Sequence, residues 1–258
     1  MASTILTLIE ARKGSKRLPS KVLLDLEGRT VLEHVIRRIQ KCSMTGECVV
    51  ATTISREDLA IVKLCAEMNV RVYCGSEEDP LERYFRAASL FDGDPVIRIK
   101  ADCPLIDSEI VDAAVRLHLE SGADYTSNTL HRTYPVGQDV EILALPALER
   151  VWRMADLHSE REHITLFIPK HAGLFRICHL ENREDLSAKR WTLDYPEDYV
   201  LLRAIFHSLY PLDPCFGMGA VLDFLSRNPE LEKLNAHIPA DAGVRISLQH
   251  DRSGERPH

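Results

Sequence analysis

Residues 5–11 read Ile-Leu-Thr-Leu-Ile-Glu-Ala, and residues 12–21 continue Arg-Lys-Gly-Ser-Lys-Arg-Leu-Pro-Ser-Lys. The first seven form a short, nearly continuous apolar run, the pattern of a strand buried on both faces. The next ten carry five cations (Arg12, Lys13, Lys16, Arg17 and Lys21), and no acid occurs from Ala11 to Leu24. A buried strand that feeds a basic loop places that loop beyond the carboxyl edge of a sheet, where open parallel α/β sheets bind ligands. Arginine and lysine give phosphate oxygens charge-assisted hydrogen bonds, and Gly14 lets backbone amides turn toward an anion. Neither a Walker A loop nor a dinucleotide fingerprint is present. A merely solvated basic loop is the plainer reading, but the position at the sheet edge favours a ligand.

Outward from this stretch, strand-like and helix-like segments alternate. Thr30 starts a helix with Glu33 completing a capping box, and Val31, Leu32, Val35, Ile36 and Ile39 share one face. A second strand is expected over 48–53, then a helix capped by Ser55 with Leu59, Val62 and Met68 at helical spacing. Strands are expected over 70–75 and 95–101 with a helix near 80–90 between them, and a helix over 108–121 stops at Gly122. This alternation predicts an α/β fold, a mostly parallel sheet with helices on both faces.

From about 126 to 190 the rhythm breaks into an inserted lobe, in which Ser159 opens a helix with Glu162 as capping partner. Residues 189–193 return as a strand, Pro196 opens a helix toward Ser208, and a last helix lies near 219–225. Residues 1–240 thus read as one domain, and the polar, aperiodic 241–258 as a disordered tail.

The chain has 258 residues and a formal net charge of −7, which argues against a nucleic-acid or anionic-membrane binder. No apolar run approaches the roughly 20 residues of a membrane span. Seven cysteines without a Cys-x-x-Cys pair give neither a disulfide framework nor a zinc knuckle. No signal-like opening precedes the first strand, so a cytoplasmic protein is expected.

Two carboxylates stand at strand ends. Asp102 follows the strand ending at Ala101, and Asp194 follows Trp191-Thr192-Leu193 and precedes the helix opened by Pro196. An aspartate there is often only a turn former or a cap. Two of them converging near phosphates also suit magnesium, which takes oxygen ligands and completes its octahedron with phosphate and water. Asp198, one helical turn on, could share or replace the role of Asp194. Asp92-Gly93-Asp94 spells a metal-binding Asp-x-Asp but precedes its strand and reads as a turn. His158, Glu162 and His163 do not form His-Glu-x-x-His, so a zinc helix is set aside.

The basic loop resembles the N-terminal signature of the CMP-sugar-acid synthetases, Ala-Arg-x-Gly-Ser-x-Arg-Leu-Pro-x-Lys. The resemblance is to the branch named after spore coat polysaccharide biosynthesis protein F, and it runs over roughly 4–205. Gly75-Ser76 with Leu81-Glu82-Arg83-Tyr84, Lys100-Ala101-Asp102-Cys103-Pro104-Leu105, Gly137-Gln138-Asp139-Val140-Glu141, Arg161-Glu162-His163-Ile164-Thr165 and Leu193-Asp194-Tyr195-Pro196-Glu197-Asp198 follow in the family's order.

The resemblance implies a nucleotide-diphospho-sugar transferase fold and transfer of CMP from CTP with release of pyrophosphate. It places Ala11, Arg12, Gly14, Ser15, Arg17 and Lys21 around the triphosphate, with Arg12, Lys21 and Asp102 as catalytic residues and magnesium on Asp102 and Asp194. Thr52, Ser76 and Arg83 would line the nucleotide pocket, with Thr53 beside Thr52. Gln138, Asp139, Glu141, Glu162 and His163 would face a small acidic acceptor, in a homodimer paired through the inserted lobe. Other readings stay open: another nucleotide with a sugar phosphate, a glycosyltransferase on the same fold, or a nucleotide-binding regulatory subunit.

Overall fold

The computed structural model describes residues 4–15 and 17–253. Strand β1 (Thr4–Glu10) alternates as its sequence requires: Leu6 and Leu8 enter the core on one face of the sheet and Ile9 enters the core on the other. Both cores are apolar, which is why the run carries almost no polar residue. After the basic loop a small hairpin, β2 (Asp25–Leu26) and β3 (Arg29–Thr30), leads into α1 (Val31–Gln40). The capping box at α1 forms as expected, with Thr30 Oγ1 accepting from the Glu33 amide at 3.2 Å and Glu33 accepting from the Thr30 amide at 2.8 Å.

The chain continues through β4 (Glu47–Thr53), α2 (Leu59–Glu67), β5 (Arg71–Gly75), α3 (Pro80–Leu90), β6 (Gly93–Lys100) and α4 (Ser108–Ser121). Gly122 ends α4 at φ 59°, a left-handed conformation that glycine adopts without a Cβ penalty. Then come β7 (Tyr125–Ser127), β8 (Glu141–Leu143), α5 (Leu145–Met154), α6 (His158–Glu162), α7 (Phe167–Lys170) and β9 (Ile177–His179). Helices α8 (Pro196–Leu209), α9 (Met218–Arg227), α10 (Pro229–Glu232) and α11 (Ala242–Ser253) follow.

The main sheet has seven strands in the order β5-β4-β1-β6-β8-β7-β9. Among the described strands of that sheet only β8 runs against its neighbours. The expected mostly parallel α/β architecture is therefore the one observed, with the lobe's strands extending the same sheet. One core packs α1, α2 and α4 against it, and the other packs α3, α5 and α7 against the opposite face. A third gathers Trp191, Leu193, Leu201, Ile205 and Phe206 with Phe216 and Val221, seating α8 and α9 beside the sheet. After β1 the chain crosses to β4 and β5 on one side, whereas β6 lies on the other. The crevice between the ends of β1 and β6 is thus a topological switch point, where such folds bind ligands.

Several expectations need correction. Ser55 makes no capping bond; a short 3-10 turn, Arg56–Asp58, precedes α2 instead, and the helix buries Ile61 and Cys65 while Leu59 lies exposed. Residues 189–193 form only an isolated bridge, Val136 to Arg190, rather than a strand of the sheet. Ser159 and Glu162 do not form a capping box at α6; the Ser159 amide is satisfied by Asp251 Oδ1 at 3.0 Å. That contact comes from α11, a helix where the sequence pattern suggests a disordered tail. Ser247 of α11 bonds both Glu162 and His163, so polar tertiary contacts, invisible to local periodicity, support this helix. Residues 254–258 of the expected tail lie outside the described residues.

Candidate active site

The basic loop leaves β1 at the switch point and is pinned in place by its own backbone. The Lys13 amide donates to Asp58 Oδ1 at 2.7 Å, the Leu18 amide to Ser15 Oγ at 3.3 Å, and the Ser20 amide to the Lys13 carbonyl at 3.1 Å. Gly14 has no left-handed φ; Ser20 takes that conformation, at 56°, immediately before the short 3-10 turn Lys21–Leu23. The strained residue is therefore the one that delivers Lys21 inward. Ala11 is buried at the foot of the loop, its amide bonded to the Ala51 carbonyl at 3.2 Å. Lys16 lies outside the described residues.

Lys21 reaches the two strand-end carboxylates. Its Nζ touches Asp102 Oδ2 and donates to Asp194 Oδ1 at 2.8 Å, with the lysine side chain only 10% exposed. Arg17 donates to the same Asp194 oxygen at 2.6 Å and stacks over Tyr195, and Arg190 holds the other oxygen at 3.1 Å. Burial works against ionising Asp194, but Lys21 and Arg17 outweigh it and hold its carboxyl below the usual carboxylate range. Burial likewise works against charge on Lys21, and Asp102 with Asp194 outweighs it, raising its pKa. Both groups are charged near neutrality.

Asp198, which could have shared the metal role, is fully buried and otherwise engaged. It accepts from Arg190 at 2.9 and 3.1 Å, from Asn235 at 2.8 Å, and from the amides of Asp194 and Tyr195 at 2.8 and 3.0 Å. It caps α8 and fixes Arg190, which in turn orients Asp194.

Arg12 is 37% exposed and lies 3.7 Å from Glu162 Oε1, so the basic loop faces the side where acceptor contacts are expected. His163 stands beside Glu162, its Nε2 2.9 Å from Ser247 Oγ. Burial lowers the His163 pKa to about 4 against the opposing pull of Glu162, so its ring is neutral at pH 7. Asp139 is held by Arg132 at 2.6 Å, with Lys100 at 3.6 Å. Ser76 Oγ accepts from the Asp79 amide at 3.1 Å and shapes the loop after β5.

Five residues expected at the ligand are buried in or bonded to the surrounding framework. Thr52 is fully buried within the sheet. Arg83 is fully buried, paired with Glu10 at 3.4 Å and bonded to the Ser76 carbonyl, so it supports the loop after β5. Gln138 is fully buried, bridging the Asp107 amide at 2.9 Å and the Leu105 carbonyl at 2.6 Å. Glu141 accepts from both Arg98 and Tyr125 inside the sheet. Thr53 is taken by Asp58.

Three residues that sequence reasoning passed over belong to the same floor. Glu10, at the end of β1, links Arg83 to Arg98, the latter at 3.1 Å. Burial would raise its pKa, but Arg98, Arg83 and Arg12 together pull it down to about 2. Lys100 is the last residue of β6, two residues before Asp102 in the turn that follows, and so lies at the same sheet edge. Arg190, Asp194 and Asp198 recur every four residues, but the first two lie outside a helix, so that spacing carries no helical meaning.

The site is therefore a basic loop whose partly exposed Arg12 lies beside Glu162, two carboxylates that converge on one cation, and a neutral histidine next to Glu162. Against known proteins, residues 6–227 match the family described as Cytidylyltransferase. The chain is 36% identical over 238 residues to an uncharacterized protein of Methanocaldococcus jannaschii, covering 91% of this chain and 95% of that one. It is 30% identical to the spore coat polysaccharide biosynthesis protein SpsF of Bacillus subtilis, covering 88% and 95%. Among solved structures, a cytidylyltransferase from Leptospira borgpetersenii serovar Hardjo-bovis superposes with a TM-score of 0.84 at 32% identity, covering 89% and 97%.

Proposed function

Because the chain belongs to the cytidylyltransferase family, we propose that it transfers CMP from CTP to a small acidic acceptor, a sugar acid or another oxyacid, with release of pyrophosphate. The observation that carries this reading is the convergence of Asp102 and Asp194 on the single Lys21 ammonium at the mouth of the basic loop. Two carboxylates that meet at one cation-sized point offer hard oxygen donors, and these residues fit magnesium, whose remaining ligands would be phosphate oxygens and water.

When bound, magnesium would neutralise charge on the α-phosphate and the departing pyrophosphate. The remaining chemistry belongs to the chain. Arg12 and Lys21 would stabilise charge that develops on the phosphates as the acceptor oxygen attacks in line. Arg17 would help fix the β- and γ-phosphates, so that much of the rate comes from positioning. The neutral ring of His163, beside Glu162, is suited to hold an acceptor hydroxyl by a hydrogen bond without adding charge. Asp139, clamped between Arg132 and Lys100, orders the wall behind it.

A polysaccharide or glycoconjugate destination for the product, a cytoplasmic setting and a homodimer joined through the lobe are parts of the same proposal. Seven free thiols agree with a reducing compartment. Among the described residues no helix is long and apolar enough to cross a membrane.

The test is pyrophosphate release with magnesium, each of the four nucleoside triphosphates being offered with a panel of sugar acids and phosphorylated acids. Release with CTP and one acceptor, lost in Asp102→Ala, is the expected result. Release with another nucleotide would overturn the base assignment. Failure of every nucleotide to bind would overturn the reading itself.

A further inference from the structure

The carboxylates expected to hold a divalent cation are already paired with the chain's own cations. Asp194 gives one oxygen to Lys21 and Arg17 together, at 2.8 and 2.6 Å, and the other to Arg190 at 3.1 Å. Asp102 gives an oxygen to Lys21. Counting Asp198, which pairs with Arg190 at 2.9 Å, the cluster holds three acids and three bases and is neutral.

That neutrality has a consequence for order of binding. A divalent ion entering alone would add two positive charges to a partly buried cluster without a compensating anion, and would have to evict Lys21 from the oxygens it needs. Charge brought into a desolvated site without a partner is strongly disfavoured. A triphosphate entering first changes both conditions: it supplies negative charge, and it offers Lys21 and Arg17 new oxygen partners. Lys21 is built for such a transfer. Its ammonium sits on a flexible four-carbon stem, so Nζ can swing by several ångströms while its backbone stays in the turn Lys21–Leu23.

We propose that Lys21 is a resident counter-cation: in the nucleotide-free protein it occupies the divalent-cation position between Asp102 and Asp194, and it releases both carboxylates only when a nucleoside triphosphate draws it away. This rests on the reading given under Proposed function. The protein therefore takes up nucleotide before metal, and its metal affinity without nucleotide is suppressed by its own lysine. Arg190, buried behind Asp194, stays in place and keeps the carboxylate aimed while Lys21 moves.

The test is a titration of the nucleotide-free protein with Mn2+, with free Mn2+ followed by electron paramagnetic resonance. The wild-type chain is expected to bind weakly, Lys21→Met to bind at least tenfold more tightly, and Lys21→Arg, which keeps the charge, to stay weak. Adding Asp102→Asn to Lys21→Met should abolish the gain. Equal or weaker binding by a folded Lys21→Met protein, or a gain that survives Asp102→Asn, would overturn the exchange. The wild-type arm stands even where Lys21→Met does not fold: tight Mn2+ binding without nucleotide would also overturn it. Calorimetry of CTP against wild-type protein in a chelator separates the two claims. CTP that binds beside an unchanged Mn2+ affinity in Lys21→Met sinks the exchange alone; CTP that does not bind at all sinks the nucleotide reading and this inference with it.

Discussion

Lys21 and Asp194 meet at 2.8 Å although 173 residues of chain separate them. The first is delivered by the loop after β1 and the second by the turn before α8, so this ion pair ties the N-terminal basic loop to the far end of the domain.

Replacing Lys21 by methionine keeps the stem and removes the charge. Loss of a charged group aimed at developing phosphate charge costs on the order of 10²–10³ in rate. The kcat/KM for CTP in pyrophosphate release is expected to fall by about that factor, even though Mn2+ binds this variant more tightly. An unaltered kcat/KM would remove Lys21 from the catalytic machinery.

Asp198 is a structural carboxylate. Asp198→Asn leaves Arg190 buried with half its partners, and breaking a buried pair costs about 3–5 kcal/mol. The midpoint of chemical unfolding should drop accordingly. If the variant keeps wild-type stability and instead loses divalent-ion binding in the presence of CTP, Asp198 is a metal ligand and the assignment to Asp102 and Asp194 alone is wrong.

Gly137 stands against the backbone that leads into Asp194. It has φ 106°, and a Cβ there would lie 2.7 Å from both the Trp191 carbonyl carbon and the Thr192 amide nitrogen. Backbone cannot retreat as a flexible side chain does. Gly137→Ala is expected to destabilise the fold by at least about 2 kcal/mol and to lower activity in the folded fraction. A neutral effect in thermal unfolding would show that the lobe is not held by this contact.

His34 gives the fold a pH dependence. Burial lowers its pKa to about 4, against the opposing bond to the Leu26 carbonyl, with Arg38 adding to the fall. The unfolded chain binds the proton more readily, so this residue's contribution is fully present above about pH 6.5 and is lost as pH falls toward 4. The full effect is about 3 kcal/mol. His34→Gln, which can still donate to Leu26, should flatten the decline in stability between pH 7 and 4. An identical slope in both proteins would assign that decline elsewhere.

The fold was readable because its signals are local. The apolar run of β1, the capping box at Thr30 and the glycine stop at Gly122 each depend on residues within one turn or one strand. The loop cations and the strand-end acids Asp102 and Asp194 were readable for the same reason, through their position at the sheet edge. What escaped depended on long-range contact. Arg83 carries the same charge as Arg12, and only the fold shows that Glu10 and the Ser76 carbonyl enclose it. Glu141 reads as an acid facing a ligand until Arg98 and Tyr125 are seen to take both its oxygens. Helix α11 has no strong apolar stripe to announce it, because the contacts that support it run through Ser247 and Asp251 to α6.

The central claim is nucleotidyl transfer from CTP, and label transfer tests it most directly. CTP labelled at the α-phosphate and, separately, at the γ-phosphate is incubated with the protein, magnesium and a mixture of sugar acids. The account predicts that the α-label moves into a new anionic product while the γ-label leaves as pyrophosphate, and that both changes vanish in Asp102→Ala. A γ-label found in the organic product, or a labelled product formed from another nucleotide in preference to CTP, would contradict it.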